Sequence, residues 1–449
     1  MPCPFFYRMT SRLHDGTTTL ITDYDAAASG HRLGVSTVGD APLYVTFADN
    51  AMVDAFQRLR TSELKTIFDS SQVRDDEPMW WFYEVNDVSG SATTTYLPNE
   101  SSTELTVGNG DEVIKQSKQY FRYEPGKSQL VLCTFILDTP VSGLTQRVGY
   151  FDALNGIFLE TSGTDINIVR RTSVTGSAVN NKVAQADWNI DPMDGTGPSG
   201  ITLDIDVAQI LIIDMEWLGV GRVRVGFVID GKAYYVHEFL NSNNGLTTVY
   251  MKTASLPVRY EISYTGTGTK TMKQVCASVS SEGGADHSTG AHFTAGRGVT
   301  LKAVSTTLVP LLSIRPRATF NGQTVRTTFD IDEIAIFSED NPAQWIVVFG
   351  ASLDGASWQN VSENYSSMQY DVAATGACNG IQFHSSYIEG GRGATGTMAE
   401  GLTGKYPLAL DIDGNHPASP LSDVFTIVAR RIGTTNTDML ATLTWEELS

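Results

Sequence analysis

Residues 209–239 read QILIIDMEWLGVGRVRVGFVIDGKAYYVHEF, and this stretch decides the fold class. Apolar and polar side chains alternate through much of it, which is typical of a β-strand with one covered face. Asp230 and Gly231 separate two such runs, and a two-residue Asp-Gly connection is a strong hairpin signal. The stretch therefore predicts antiparallel strands joined by tight turns.

Similar runs recur along the chain with almost no helical periodicity between them. Further strands are predicted at 129–137, 156–161, 166–172 and 258–263. Strands at short intervals without intervening helices are typical of antiparallel sandwiches. We therefore expect an all-β protein built from antiparallel β-sandwich domains of the jelly-roll or concanavalin-like type.

One segment has helical spacing. Met52, Val53, Phe56 and Leu59 fall on one face of a helix, and Asp49 or Asn50 is suited to cap its start. A short helix is therefore predicted near residues 50–60.

The domain boundaries follow from these patterns and from punctuation by proline and glycine. Residues 1–65 form an N-terminal segment that ends in the predicted helix, and residues 66–340 form the central sandwich. Residues 341–449 begin at the Asn-Pro pair 341–342 and are predicted to form a smaller β domain.

Composition excludes several classes of protein. The 449 residues include 31 Lys and Arg against 50 Asp and Glu, a formal net charge of −19. So acidic a surface repels phosphate, and no nucleic-acid partner is expected. The N-terminus lacks the pattern of a secretory signal, and no run is long and apolar enough for membrane insertion. No phosphate-binding or dinucleotide motif is present, so no cofactor is predicted.

An acidic pair lies on the strand ILIIDMEWL. Asp214 and Glu216, two residues apart, point to the same face of a strand. Retaining glycosidases on jelly-roll folds carry three acids in the pattern Glu-x-Asp-x-Glu, whose first member is the nucleophile. Ile212 occupies that position here, so the motif lacks its nucleophile. The competing interpretation is a structural pair partnered by Arg222 or Arg224 on the next strand. We predict no catalytic residues and a chain that is not an enzyme.

Two other groups are candidate binding sites. Asp411, Asp413 and Asn415 alternate as in the start of a calcium loop, although a plain Asp-Gly turn explains the same residues. Trp80, Trp81 and Tyr83 lie in a run of four aromatics at 80–83. One face of that strand is expected in the core, and the other is a candidate surface for a sugar ring or a neighbouring subunit.

Three long segments resemble a family of virion structural proteins of tailed phages. They read AMVDAFQRLRTSELKTIFDSSQVRDDEPMWW (51–81), YFRYEPGKSQLVLCTFIL (120–137) and DMEWLGVGRVRVGFVIDGKAYYVHEF (214–239). The likeness covers roughly residues 40–285. It implies a fibre, spike or capsid-decorating subunit that is made in the host cytoplasm and released by lysis, with residues 1–65 as the particle anchor. The implied partners are other capsid or tail proteins.

Three functions remain open at this point. The leading hypothesis is a virion structural protein that assembles with itself, as a homotrimer, because fibres and spikes usually close by threefold symmetry. The alternative is a carbohydrate-binding adhesin or receptor-binding protein that recognises a host surface glycan. The third is a glycan depolymerase, against which the missing nucleophile at Ile212 argues.

Overall fold

A computed structural model describes residues 7–12, 19–24, 32–35, 53–56, 58–61, 64–282, 290–326, 328–391, 405–406 and 423–448. The chain divides into two compact units, Met1–Asp49 and Asn50–Ser449. In the first unit, the strands Tyr7–Arg12, Thr19–Tyr24 and Arg32–Val35 form a three-stranded antiparallel sheet.

The second unit begins with a sandwich of two antiparallel sheets. In spatial order, the seven-stranded sheet consists of Val179–Ala184, Asp165–Thr172, Gly156–Ser162, Leu144–Phe151, Val258–Tyr264, Asp111–Ser117 and Trp81–Asn86. The eight-stranded sheet consists of Lys232–Phe239, Val223–Ile229, Gln209–Met215, Ser128–Ile136, Lys270–Glu282, Ser102–Val107 and Thr93–Leu97, with Leu64–Ser70 paired to Lys270–Glu282. A single 3₁₀ turn, Gln185–Asp187, interrupts the described part of this sandwich.

A second sandwich follows. Its five-stranded sheet consists of Ala291–Gly296, Thr437–Leu448, Thr328–Ser338 and Lys405–Tyr406, with Lys302–Val304 paired to Thr437–Leu448. Its six-stranded sheet consists of Gln359–Asn360, Met368–Asp371, Val309–Pro316, Phe425–Arg431, Ala343–Phe349 and Ile381–Ile388. Two short hairpins complete it, Thr319–Phe320 with Gln323–Thr324 and Ser352–Asp354 with Gly376–Cys378.

These sheets confirm the predicted fold class of antiparallel β-sandwiches. The predicted hairpin is present, since Ile229 pairs with Lys232 around Asp230 and Gly231. Both turn residues have positive φ, 52° and 75°, as a type I′ turn requires. Alternation of burial is clear on Ser128–Ile136, where Val131, Cys133 and Phe135 are excluded from solvent and the residues between them are partly exposed.

The boundary predicted at residue 340 falls inside the second sandwich. The first core contains residues from Phe68 to Val279, and the second contains residues from Ala295 to Trp445. The reason is pairing over a long sequence distance, because Thr328–Ser338 lies beside Thr437–Leu448 in one sheet. The chain therefore passes from one sandwich to the other between residues 282 and 291.

The helix predicted near residues 50–60 is absent from the described residues of that segment, 53–56 and 58–61. Val53 instead forms an isolated antiparallel bridge with Leu59. The Asp54 carboxylate accepts hydrogen bonds from the backbone N–H groups of Phe56 and Arg58, at 2.9 and 2.8 Å. A side chain that bonds locally to the backbone in this way competes with helix formation.

Two further observations concern the described residues alone. They include no helix that could cross a membrane. They also include no group of three or more histidine, cysteine, aspartate or glutamate side chains arranged to hold a metal ion.

Candidate functional site

The acidic strand predicted as a possible catalytic site holds a buried ion pair. Asp214 is completely buried and accepts hydrogen bonds from Arg224 Nη2 at 2.5 Å and Tyr235 OH at 3.0 Å. Ser128 Oγ donates to its other oxygen at 2.8 Å. The structural interpretation, with Arg224 as partner, is therefore confirmed, and the strand face that carries Asp214 is covered.

The cover is the segment that the sequence predicted to be helical. Arg224 Nη2 donates to the Val53 carbonyl at 2.7 Å, and Arg222 Nε donates to the Ala55 carbonyl at 3.0 Å. Arg60 then forms a second ion pair with Asp214, at 2.5 Å. The arginines thus take carbonyl groups that a helix would have used internally, and the segment seals Asp214 from solvent.

Arg60 also joins Glu282 to this cluster, at 3.1 Å. Burial raises the pKa of the Glu282 carboxyl to about 7, while the nearby Arg60 lowers it and Asp214 raises it further. The cluster is closed by its own side chains and backbone, so its geometry supports the packing of the N-terminal segment rather than chemistry on a substrate.

The aromatic run does not form one surface. Trp81 is 1% exposed, packs edge-on against Phe68 and Tyr260, and donates from Nε1 to Ser70 Oγ at 3.1 Å. The prediction that Trp81 contributes to a binding surface is therefore corrected, since its strand turns it into the core.

The other two predicted aromatics remain nearer to solvent. Trp80, which precedes the strand, is 40% exposed. Tyr83 is partly buried, and its hydroxyl donates to the Asp76 carboxylate at 3.0 Å. Their role in binding stays a prediction. Asp411, Asp413 and Asn415 lie outside the described residues.

A cleft of about 650 Å³ opens where the two sandwiches meet. Small-molecule sites usually occupy about 300–1,000 Å³ and occur preferentially at such junctions. Its described lining consists of Tyr120, Arg122, Asp152, Leu154, Asn155, Ser173, Lys252, Thr253, Ser255, Gly290, Ala291, Phe293, Phe320, Gln323, Thr324, Val325, Arg326, Tyr365, Ser367 and Glu447.

Asn155 organises the wall contributed by the first sandwich. This side chain is 3% exposed, and its Nδ2 donates to Ser173 Oγ at 3.1 Å. Its Oδ1 accepts from the backbone N–H groups of Ser173 and Lys252, both at 3.1 Å. The neighbouring Asp152 carboxylate accepts from the N–H groups of Leu154 and Asn155 at 2.8 and 2.7 Å. Three loops are thereby held together at the rim before any ligand arrives.

Glu447 organises the wall contributed by the second sandwich. Its carboxylate accepts hydrogen bonds from Ser366 Oγ at 2.5 Å and from the N–H and hydroxyl of Ser367 at 2.9 and 2.8 Å. Trp445 Nε1 donates to it at 3.2 Å. Ser366 and Ser367 directly follow Tyr365, so these bonds fix the backbone that carries this tyrosine. Tyr365 itself is 78% exposed.

Two contacts bridge the walls. Lys252 Nζ donates to Gln323 Oε1, and the Arg326 guanidinium lies 4.4 Å from the ring centroid of Tyr120. The cleft thus combines an exposed aromatic side chain with fixed polar groups, an arrangement suited to a polar ligand with an apolar face.

Sequence reasoning missed this site completely. Its residues come from separate segments, among them 120–122, 152–155, 252–255, 320–326 and 365–367. Within each segment the signal is weak, because a polar loop with one aromatic is also what an ordinary turn looks like.

Comparisons with known proteins assign this chain to no family. No family model matches the chain, and no curated protein matches it. Botulinum neurotoxin type C, which depends on two ganglioside molecules for entering cells, matches with a TM-score of 0.29 and 8% identity over 48% of this chain and 47% of its own. The match therefore spans about half of the neurotoxin chain.

Two other solved structures match this chain over almost their whole length. One is a mixed-linkage glucan hydrolase of family GH16 from Bacteroides ovatus, with a TM-score of 0.32 and 10% identity over 47% of this chain and 99% of its own. The other is a carbohydrate esterase from the Shiga toxin-encoding bacteriophage phi24B, with a TM-score of 0.28 and 9% identity over 49% of this chain and 100% of its own.

These structures correct the prediction that the chain is not an enzyme. A glycoside hydrolase and a carbohydrate esterase are among the proteins with a similar sandwich, so the exclusion of enzymatic activity does not hold. Likenesses with these TM-scores and identities assign no activity to this chain, and even a shared fold does not carry activity from one protein to another.

Proposed function

We propose that this protein binds carbohydrate in the cleft between its two sandwiches. The observation that carries the proposal is the combination, in one cavity of about 650 Å³, of the exposed Tyr365 with the fixed polar side chains of Asp152 and Asn155. A sugar ring has an apolar face of C–H groups and an edge of hydroxyls, and this cleft offers a partner for each.

Preorganisation supports the same conclusion. The Glu447 bonds hold the loop beside Tyr365, and the Asn155 bonds hold the opposite rim. Side chains that are already ordered lose little conformational entropy on binding, so weak polar contacts to a sugar contribute more of their energy to affinity. The neurotoxin and hydrolase likenesses concern the fold, and the proposal rests on the cleft.

The second part of the proposal concerns where this protein acts. The resemblance of residues 40–285 to virion structural proteins supports a subunit displayed on a phage particle, where the cleft would recognise a host surface glycan. Mass spectrometry and electron cryomicroscopy of purified particles test this placement. Absence of the protein from intact virions would contradict it without affecting the binding proposal.

Tyr365→Ala tests the binding proposal. We expect the wild-type protein to retain oligosaccharides on a glycan array. Tyr365→Ala should weaken the affinity of the best ligand at least about tenfold, because about 1.4 kcal/mol of lost stacking corresponds to that factor. Isothermal titration with that ligand gives the affinities.

Tyr387→Ala is the matched control. Tyr387 is 64% exposed and lies on Ile381–Ile388, at the opposite edge of the six-stranded sheet from the strands that flank Tyr365. We expect wild-type affinity from this variant. An array without any retained saccharide, or equal losses from the two tyrosine variants, would show that the cleft is not the site.

A further inference from the structure

The charge of the cleft is opposite to that of the chain. The protein carries a formal net charge of −19, yet three cationic side chains, Arg122, Lys252 and Arg326, line this cavity against two carboxylates. Basic residues gathered in a concave site focus the electrostatic field there, and this field attracts anions.

The two carboxylates of the cleft, Asp152 and Glu447, already accept several hydrogen bonds from their own surroundings. Glu447 is 6% exposed and receives bonds from Ser366, Ser367 and Trp445. One oxygen of Asp152 receives two backbone N–H groups. Such donors stabilise an ionised carboxylate, so neither Asp152 nor Glu447 depends on Lys252 or Arg326 for its stabilisation.

Arg326 carries the more specific observation. Its Nη1 is buried and has no hydrogen-bond partner among the described residues, while its guanidinium is held over the Tyr120 ring at 4.4 Å. A buried donor without a partner costs free energy, and it is expected to be paired when the site is occupied. Lys252 Nζ, bound to Gln323, lines the same cavity.

We propose that the saccharide bound in this cleft carries a carboxylate, which pairs with Arg326 and Lys252. This inference rests on the proposed carbohydrate function and specifies its ligand class. A guanidinium presents a fork of donors that matches a carboxylate, and such charge-assisted pairs are stronger than bonds to neutral hydroxyls. Sialic acids and uronic acids both supply this group.

The experiment uses acidic sugars and their neutral counterparts on the full chain. The probes are 3′-sialyllactose against lactose, and trigalacturonic acid against its full methyl ester, measured by isothermal titration. We expect at least tenfold tighter binding of one acidic probe than of its counterpart, with the difference shrinking as salt is raised. Which acid binds identifies the source of the carboxylate.

Variants assign the effect to the cleft. Arg326→Gln should remove most of the preference for acid, and Arg326→Lys should retain part of it, because a lysine keeps the charge and loses the fork. Arg430→Gln, at an exposed arginine outside the cleft, should behave like the wild type. Thermal melts verify that each variant is folded, and the lysine variant covers the case in which the glutamine variant is not.

The possible failures are distinguishable. Equal affinity for acidic and neutral probes, or an acid preference unchanged in Arg326→Gln, overturns this inference and leaves the proposed function standing if binding still depends on Tyr365. A protein that binds none of the four probes and retains no saccharide on the array overturns both.

Discussion

Replacing Asp214 by asparagine is expected to lower the free energy of unfolding by about 3–5 kcal/mol. The carboxylate is completely buried and pairs with Arg224, whose side chain is also fully buried, and with Arg60. An asparagine of nearly the same shape removes the counter-charge that Asp214 provides to Arg224 and leaves Arg60 paired with Glu282 alone. A buried charge that has lost its partner is among the costliest defects in a protein interior.

Urea denaturation measures this effect, and Glu216→Gln provides the control from the same motif. Glu216 is partly buried and accepts a hydrogen bond of 3.0 Å from the Arg222 backbone N–H, so its variant should lose about 1 kcal/mol. Asp214→Asn with wild-type stability would contradict the structural role assigned here. The burial of Asp214 also argues against the glycosidase interpretation, since a carboxylate sealed from solvent cannot reach a substrate.

Replacing Lys115 by methionine is expected to stabilise the protein at neutral pH. Lys115 is fully buried on Asp111–Ser117, where its Nζ donates to Thr103 Oγ1 at 2.8 Å and lies 5.1 Å from the ring centroids of Trp81 and Tyr83. Burial lowers the pKa of this ammonium group to about 7, with Asp76 and Glu77 opposing the shift. Methionine fills a similar volume without a charge.

The lowered pKa of Lys115 also predicts the direction in which stability changes with pH. Between pH 7 and the ordinary lysine pKa near 10.5, the unfolded chain holds a proton that the folded protein lacks. Stability rises with pH wherever the unfolded state binds more protons, so the wild type should gain about 2 kcal/mol between pH 7 and pH 9. Lys115→Met lacks this titration and should be more stable than the wild type at pH 7, with the advantage shrinking by pH 9.

Urea denaturation of the wild type and of Lys115→Met at pH 7 and pH 9 measures this effect. Subtracting the two stabilities at each pH cancels the titration of all other groups, which the two proteins share. Lys232→Met is the control, because Lys232 is exposed and its ammonium is hydrated in both states. A pH-independent difference between wild type and Lys115→Met would contradict the prediction.

Local patterns predicted the strands well. The runs at 166–172 and 258–263 correspond to Asp165–Thr172 and Val258–Tyr264, and the Asp-Gly turn forms as expected. Alternation and turn chemistry involve residues that are neighbours in sequence, so they are visible without knowledge of the rest of the chain.

Predictions that depended on distant partners failed. The segment around Val53 has helical spacing, but Arg222 and Arg224, some 170 positions away, bind its carbonyl groups. The boundary predicted at 340 separates Thr328–Ser338 from the C-terminal strand with which it pairs, about 110 residues later. Trp81 was predicted at a surface because a run of aromatics does not reveal which face its strand buries.

The sequence by itself determined an acidic chain of antiparallel strands, because alternation and turn residues specify local backbone and one covered face. Tertiary structure alone decided what covers each face and which loops meet. It sealed Asp214 beneath the Val53 segment and brought Tyr365, Asn155 and Arg326 to one cleft. The physical reason is that alternation encodes the burial of a side chain, whereas the partner that buries it comes from pairing across hundreds of residues.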